Sequence, residues 1–206
     1  MKKLGFTLAE VLITLVIIGV IAAMTVPTLM NNTNSQEFRS ALKKAISSVN
    51  QALTLNYALT SECAMDFDTA PKLVDELFAK RMSIMQNGTT RPTWSGTDDG
   101  ACAGTTFATA DGILFCIKDY LTTGTNCDAY NQNPCGTAPN LLIDVNGQKG
   151  PNKMTANASR PKDIYAATIY SQRVIPYGDA TQQVMYDAGS VTSGTTPATT
   201  SSTTGS

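Results

Sequence analysis

Histidine is absent from all 206 residues of the chain. Its absence removes the Ser-His-Asp and Cys-His nucleophile arrangements, histidine metal sites and the commonest general base. The familiar hydrolase mechanisms that depend on an imidazole are therefore excluded.

Charge is also scarce, and the two signs balance. The chain has 15 basic and 16 acidic residues, and no long run of like charge is present to follow a phosphate backbone. We therefore expect no nucleic acid partner. A role in DNA uptake gains no support from the charge, and a salt-dependent DNA-binding assay tests it.

The five cysteines lack the paired C-x-x-C spacing of a zinc site, so we interpret them as disulfide candidates. Disulfides persist outside the cytosol, and an odd count leaves at least one cysteine unpaired. The pairing is not readable from sequence, although Cys127 would close a small loop with Cys135 and Cys102 would meet Cys116 across a predicted hairpin. The candidates are Cys63, Cys102, Cys116, Cys127 and Cys135.

One long hydrophobic run is present, at the N-terminus. Lys2 and Lys3 precede it, and no charge occurs from Val11 to Val26. Counted from Phe6, the run has about 20 residues, enough for a helix to cross a hydrocarbon layer of about 30 Å. We predict a membrane-spanning helix.

Glu10 is the exception inside this run. A carboxylate at that depth costs a few kcal/mol unless it is paired or protonated, and no nearby side chain is a cation. Cleavage between Gly5 and Phe6 would supply one, because the new α-amino group of Phe6 in a neighbouring subunit lies at the same apolar depth.

The residues G-F-T-L-A-E, from Gly5 to Glu10, resemble the processing site of type IV prepilins and type II secretion pseudopilins. The resemblance implies that a prepilin peptidase cuts after Gly5, that Phe6 is N-methylated and that Glu10 assists docking into a filament. It also implies a weakened helix at Gly19 and Pro27, in agreement with the low helix propensity of glycine and the missing N–H of proline.

An ordinary secretory signal peptide is the alternative, with Val20-Ile21-Ala22 as its small-residue cleavage site. Against it, the leader before Gly5 is too short to contain an apolar region. The apolar helix also continues without a polar break, so we interpret it as retained.

A second, amphipathic pattern continues the helix from Ser35 to Leu59, with basic and amide side chains such as Lys43 and Gln51 facing elsewhere. Together the two patterns predict one helix of about 55 residues, about 80 Å long. The apolar positions are Phe38, Leu42, Ala45, Ile46, Val49, Leu53 and Tyr57.

The remaining elements predict a small antiparallel sheet packed against that helix. We expect a second helix from Pro71 to Gln86, capped by Asp68 or Thr69. Strands are predicted at 105–109 and 113–117, joined as a hairpin, and at 141–145 and 163–171. The fold class is therefore α+β and, by the resemblance, pilin-like.

The stretch from Ile143 to Asn152 is similar to a segment in the heads of many pilin-like proteins, some of which bind calcium. Asp144, Asn146 and Asn152 are oxygen donors of the kind calcium takes. The loop lacks the glycine and bidentate glutamate of an EF-hand, so we favour a hydrogen-bonded turn and expect no metal and no cofactor.

We divide the chain into a leader (1–5), a membrane or filament-core helix (6–30), its amphipathic continuation (31–62), a globular head (63–187) and a flexible Ser/Thr/Gly tail (188–206). The expected location is the inner membrane with a periplasmic head, then a periplasmic or cell-surface filament. The expected partners are pilin subunits, prepilin peptidase and the membrane assembly platform.

The expected function is structural, as a subunit of a type IV pilus or of a type II secretion pseudopilus, and not enzymatic. The rival hypothesis is a periplasmic enzyme or binding module behind an anchor or signal peptide, which requires converging functional groups. Asp98, Asp99, Asp111 and Asp163 are the acidic candidates, but each has the neighbours of a turn or cap residue.

Overall fold

The computed structural model describes residues 7–85, 91–94, 96–97, 100–120, 134–155 and 162–186. Helix α1 spans Leu8–Thr60, 53 residues, which corresponds to about 80 Å. It is continuous through Gly19 and Pro27, and it ends at Ser61, whose positive φ of 59° closes the last turn. The predicted long helix is confirmed.

The two halves of α1 have different surroundings. No residue of Leu8–Val26 is buried. The second half, by contrast, buries Phe38, Leu42, Val49 and Leu53 against the head. One predicted core position is wrong, because Tyr57 is 39% exposed. Asn56 takes the inner position instead, where its amide donates to the carbonyl of Glu62 and accepts from Arg81.

A second helix, α2, covers residues 70–81 and is shorter than predicted. It joins an α-helical turn at Ala70–Lys72, a π-helical stretch at Leu73–Phe78 and a last turn at Ala79–Arg81. It ends at Arg81, because Met82 is already extended and Ile84 forms a β-bridge with Thr109. Here tertiary strand pairing overrides the local helical pattern.

The sheet has five antiparallel strands in the order of the chain. The predicted hairpin is confirmed, with Thr105 opposite Ile117 and Ala108 opposite Leu114; Gly112, at φ 87°, lies in its turn. The other two predicted strands are present and slightly shorter. The strands are β1 Thr105–Ala108, β2 Leu114–Ile117, β3 Leu141–Asp144, β4 Ile164–Ile169 and β5 Val174–Pro176.

Two elements were not predicted: strand β5 and helix α3, Asp179–Tyr186. Both follow the last predicted strand, and both pack on α1 and β4. The predicted tail, 188–206, lies outside the described residues, and the boundaries of the predicted segments remain predictions.

The sheet is covered on both faces. Its inner face packs against α1 and α2 through a core that includes Phe107, Phe115 and Ile143. Its outer face holds a smaller cluster of Cys116, Leu142, Ile164 and Ala166, against which Trp94, Cys102 and Met154 pack. Strands β2, β3 and β4 are therefore buried at every residue rather than at every second one.

Candidate processing and assembly segment

The N-terminal half of α1 is an apolar surface on which no other described part of the chain packs. Leu8–Val26 has a mean hydropathy of 2.5 and is long enough to cross a membrane. Its large side chains are about half exposed or more, among them Ile13 at 61% and Met24 at 74%. An exposed apolar surface of this size marks contact with a membrane or with other proteins.

The start of α1 is fixed by a reciprocal capping box between Thr7 and Glu10. The backbone N–H of Glu10 donates to Thr7 Oγ1 at 3.3 Å. In return, Thr7 donates to Glu10 Oε2 twice, from its backbone N at 2.8 Å and from its hydroxyl at 2.9 Å. The negative carboxylate therefore lies at the positive end of the helix dipole.

Thr7 was missed as a functional residue, although its signal is present in the sequence. A threonine followed three residues later by glutamate, just before an apolar run, is the pattern of a capping box. The capping box does not supply the positive charge that the sequence analysis found missing near Glu10. Its partner inside the described chain is a neutral hydroxyl and an amide.

The other polar side chains of the apolar half are satisfied within the helix. Thr14 donates to the carbonyl of Val11 at 2.9 Å, and Thr25 donates to that of Ile21 at 3.0 Å. Such bonds let a hydroxyl enter an apolar phase without an unpaired donor. A Cβ placed on Gly19 would meet no atom within 4 Å.

Gly5 and Phe6 lie outside the described residues, so the expected cleavage site is located only by its place in the sequence. Thr7, the next residue, is extended, with φ −78° and ψ 151°. Helix α1 thus begins at Leu8, downstream of the Gly5–Phe6 bond.

The cysteines divide into bonded and free. Cys102 and Cys116 form a disulfide across the sheet's outer face, with their Cα atoms 6.4 Å apart, as the hairpin suggested. Cys63 is also disulfide-bonded. Cys135 is a buried free thiol, so the suggested pairing of Cys127 with Cys135 is wrong; Cys127 itself lies outside the described residues.

The oxygen donors after β3 belong to a network of turns. Asp144 accepts from the N–H of Asn146 at 3.3 Å. Asp163 accepts from the N–H groups of Asn152 and Lys153, both at 2.8 Å. Within the described ranges, no three His, Cys, Asp or Glu side chains converge on a metal position.

The acidic residues considered for an enzyme are not assembled into one site by the described part of the chain. Asp111 pairs with Lys44 at 2.7 Å, whereas Asp163 is occupied by backbone amides. Burial opposes ionisation of Asp111, but hydrogen bonds from Lys44 and Thr109 keep its pKa below the ordinary value. Asp98 and Asp99 lie outside the described residues.

Residues 1–26 match the model of the prokaryotic N-terminal methylation motif. This motif is the signature of type IV pilins and pseudopilins. It supports a type IV pilin-like precursor that prepilin peptidase processes, and it indicates a structural subunit. No curated protein and no solved structure matches the chain.

Proposed function

We propose that this protein is a filament subunit, of a type IV pilus or a type II secretion pseudopilus, cut between Gly5 and Phe6 and assembled through the first half of α1. The observation that carries the proposal is the methylation motif at 1–26, which includes the apolar half-helix Leu8–Val26, where no residue is buried. Packing that surface against other copies removes it from water after it leaves the bilayer.

Glu10 selects the register of assembly in this proposal. Both hydrogen bonds from Thr7 end on Oε2. Oε1 therefore keeps its lone pairs for a donor outside the chain, and the α-amino group of Phe6 in a neighbouring copy is that donor. A charge pair enclosed by apolar helices is costly to break, because removing one partner leaves the other buried alone.

The head is proposed to lie on the outer side of the inner membrane. The disulfides of Cys63 and of Cys102–Cys116 support an oxidising compartment. Before assembly the first half of α1 holds the subunit in the membrane, and after assembly it forms the filament core. In the same proposal, the methylated Phe6 is the first residue of the mature chain. Gly19, within the apolar half, and Pro27, directly after it, lower the stability of the helix, although α1 is continuous through both in the isolated subunit.

The test is intact-mass and N-terminal analysis of the full chain, expressed with and without a prepilin peptidase. We expect a mature chain that begins at Phe6, with one added methyl group, only when the peptidase is present. Gly5→Ala should abolish this cleavage.

The matched control is Gly19→Ala, which adds the same methyl group where no atom lies within 4 Å, and which should be cleaved normally. A mature chain that begins at Ala23 identifies an ordinary signal peptide instead. That result rejects the filament proposal and favours a secreted binding protein or enzyme.

A further inference from the structure

A cavity rich in hydrogen-bond acceptors opens on one flank of α1. It has a volume of 380 Å³ and lies between α1, the β1–β2 turn and the loop after β3. Glu37, Asp111 and Asn146 line it, together with Lys149. The cavity lies in the head, well beyond the apolar half of α1.

Two of these acceptors have no donor within the described part of the chain. Oδ1 of Asn146 is buried without a hydrogen-bond partner, although its amide nitrogen donates to Gly150. The carboxylate of Glu37 is exposed and forms none of the ion pairs found among the described residues. Asp111, by contrast, is occupied by Lys44 at 2.7 Å. The Asn146 oxygen is closed to solvent, so the exposed, unpaired carboxylate of Glu37 is the group that favours a cationic donor.

The complementary charge is present on the same helix but on another flank. Arg39 is half-buried and Lys43 is exposed, and neither forms an ion pair in the described residues. On an ideal helix they point about 160° and 120° away from Glu37. They therefore face away from the cavity of their own copy, and a head-to-tail contact brings them to the cavity of the next copy.

The register of the proposed filament brings these groups to the same height. If Glu10 meets the amine of residue 6 in the next copy, the two helices are offset by four residues, about 6 Å. Glu37 of that next copy is then level with position 41, midway between Arg39 and Lys43.

We propose that the cavity at Glu37 and Asn146 receives the side chains of Arg39 and Lys43 from a second copy of this chain. The proposal rests on the proposed filament and names a second contact, in the head, with the same offset as the contact at Glu10. Charge complementarity of this kind fixes register and suppresses wrong pairings.

The test compares charge reversals in the full chain, in cells that assemble the wild type. Glu37→Lys alone, and Arg39→Glu with Lys43→Glu, should each lower the sheared filament fraction about tenfold, because each places like charges together. The three changes combined should restore assembly. Glu62→Lys, the same substitution at an exposed glutamate outside the cavity, is the control and should assemble normally.

A cross-link identifies the contact directly. One copy carrying Glu37→Cys is expressed with another carrying Lys43→Cys, and a disulfide-linked dimer should appear only when both are present. Without rescue and without this dimer, in chains that start at Phe6 and contain the Cys102–Cys116 bond, the head contact is rejected while the filament stands. If wild-type chains are not cleaved at Phe6, the filament proposal fails, and the head contact fails with it.

Discussion

Cys135 is a thiol enclosed by the core and beside another ionisable group. It is fully buried, and Tyr120, also buried, donates its hydroxyl to the carbonyl of Ala64. Burial raises the pKa of the Cys135 thiol to about 12, although the Tyr120 hydroxyl opposes this shift. The pKa of Tyr120 is also raised, mainly by burial and secondly by the charge of the nearby Cys135 thiolate. Such a thiol is unreactive at neutral pH, since the thiolate is the nucleophile.

The sign of the pH dependence follows from the raised pKa. An unfolded cysteine loses its proton near pH 8.5, whereas folded Cys135 retains it to about pH 12. The stability contributed by the neutral thiol is therefore complete below about pH 8.5 and is lost as the pH rises toward the folded pKa. Lys162 opposes this trend, because burial lowers its pKa to about 8; stability linked to Lys162 increases with pH over that range.

We expect Cys135→Ala to change the pH dependence of unfolding in one direction. Because Lys162 is unchanged, the stability of the wild type should fall relative to that of the variant by about 1 kcal/mol per pH unit between pH 9 and 10. Urea unfolding of the full chain in detergent, repeated from pH 7 to 10, measures this difference. A difference that stays constant with pH would show that the Cys135 thiol does not titrate in the unfolding reaction.

At the scale of elements, a single side chain completes the sheet's short last strand. Val174 in β5 donates its N–H to Asn50 Oδ1 at 2.6 Å. The carbonyl of Val174 accepts a second hydrogen bond, from Asn50 Nδ2 at 3.2 Å. The amide of α1 thus pairs with the strand as a neighbouring strand would. The outer edge is also blunted by Pro176, which has no N–H.

Asn50→Leu should destabilise the fold, because it removes both bonds and leaves the amide and carbonyl of Val174 unpaired in a partly buried place. We expect a loss of about 1–3 kcal/mol in the free energy of unfolding. Urea unfolding followed by far-UV circular dichroism measures it. The control is Gln51→Leu, the same class of change on the next, exposed residue, which should change stability by less than about 0.5 kcal/mol. Equal losses in the two variants would contradict a specific role for Asn50.

Elements held by contacts between residues close in sequence were predicted, whereas elements that depend on contacts between distant residues were missed. The hairpin was predictable because its signals, β-prone runs around Ala110-Asp111-Gly112, lie within 13 residues of each other. Strand β5 was not, since the Asn50 amide that completes it lies 124 residues away. Helix α2 ended early for the same reason, because Ile84 pairs with Thr109.

The candidate sites follow the same rule. The processing motif is a contiguous signature, and so is the Thr7–Glu10 capping box, which the sequence displayed but which was not used. The cavity at Glu37 and Asn146 joins a helix to a loop more than 100 residues later, and no local pattern indicates it. An odd cysteine count likewise gives no pairing, and only the folded structure identifies Cys135 as a free thiol.

At the scale of the whole molecule, the described structure leaves little of its sheet available to partners. Helices cover the inner face. The outer face is covered partly by an outer segment, residues 91–94, 96–97 and 100–102, through Trp94 and Cys102. At the β1 edge, the N–H of Met85 donates to the carbonyl of Ala108, and the N–H of Ala110 donates to the carbonyl of Ser83. Asn50 occupies the β5 edge. Association by added strands is therefore disfavoured, in agreement with the proposed assembly through α1.

Besides the disulfide, polar contacts to β1 and to Lys153 hold the outer segment. Arg91 donates to the carbonyl of Thr106, Thr106 donates to the carbonyl of Pro92, and Lys153 donates to the hydroxyl of Thr97. Trp94 donates from its indole to the carbonyl of Gly100 at 2.8 Å. Arg91 forms a bidentate pair with Asp75, both bonds at 2.9 Å. Because Asp75 is exposed, this ion pair contributes little. The outer cluster is small beside the core on the inner face, so the covalent Cys102–Cys116 bond is the strongest single tether.

We therefore expect Cys102→Ala with Cys116→Ala to release the outer segment before the rest of the fold. Closing a loop between residues 14 apart contributes about 3 kcal/mol. Trp94 is the chain's single tryptophan, so its fluorescence reports this segment alone. In the double variant, fluorescence should change at a lower urea concentration than far-UV circular dichroism, which follows α1 and the sheet. In the wild type the two midpoints should coincide. Coincident midpoints in the variant as well would mean that the segment and the core unfold as one unit, and that the disulfide strengthens the whole head rather than tethering one layer.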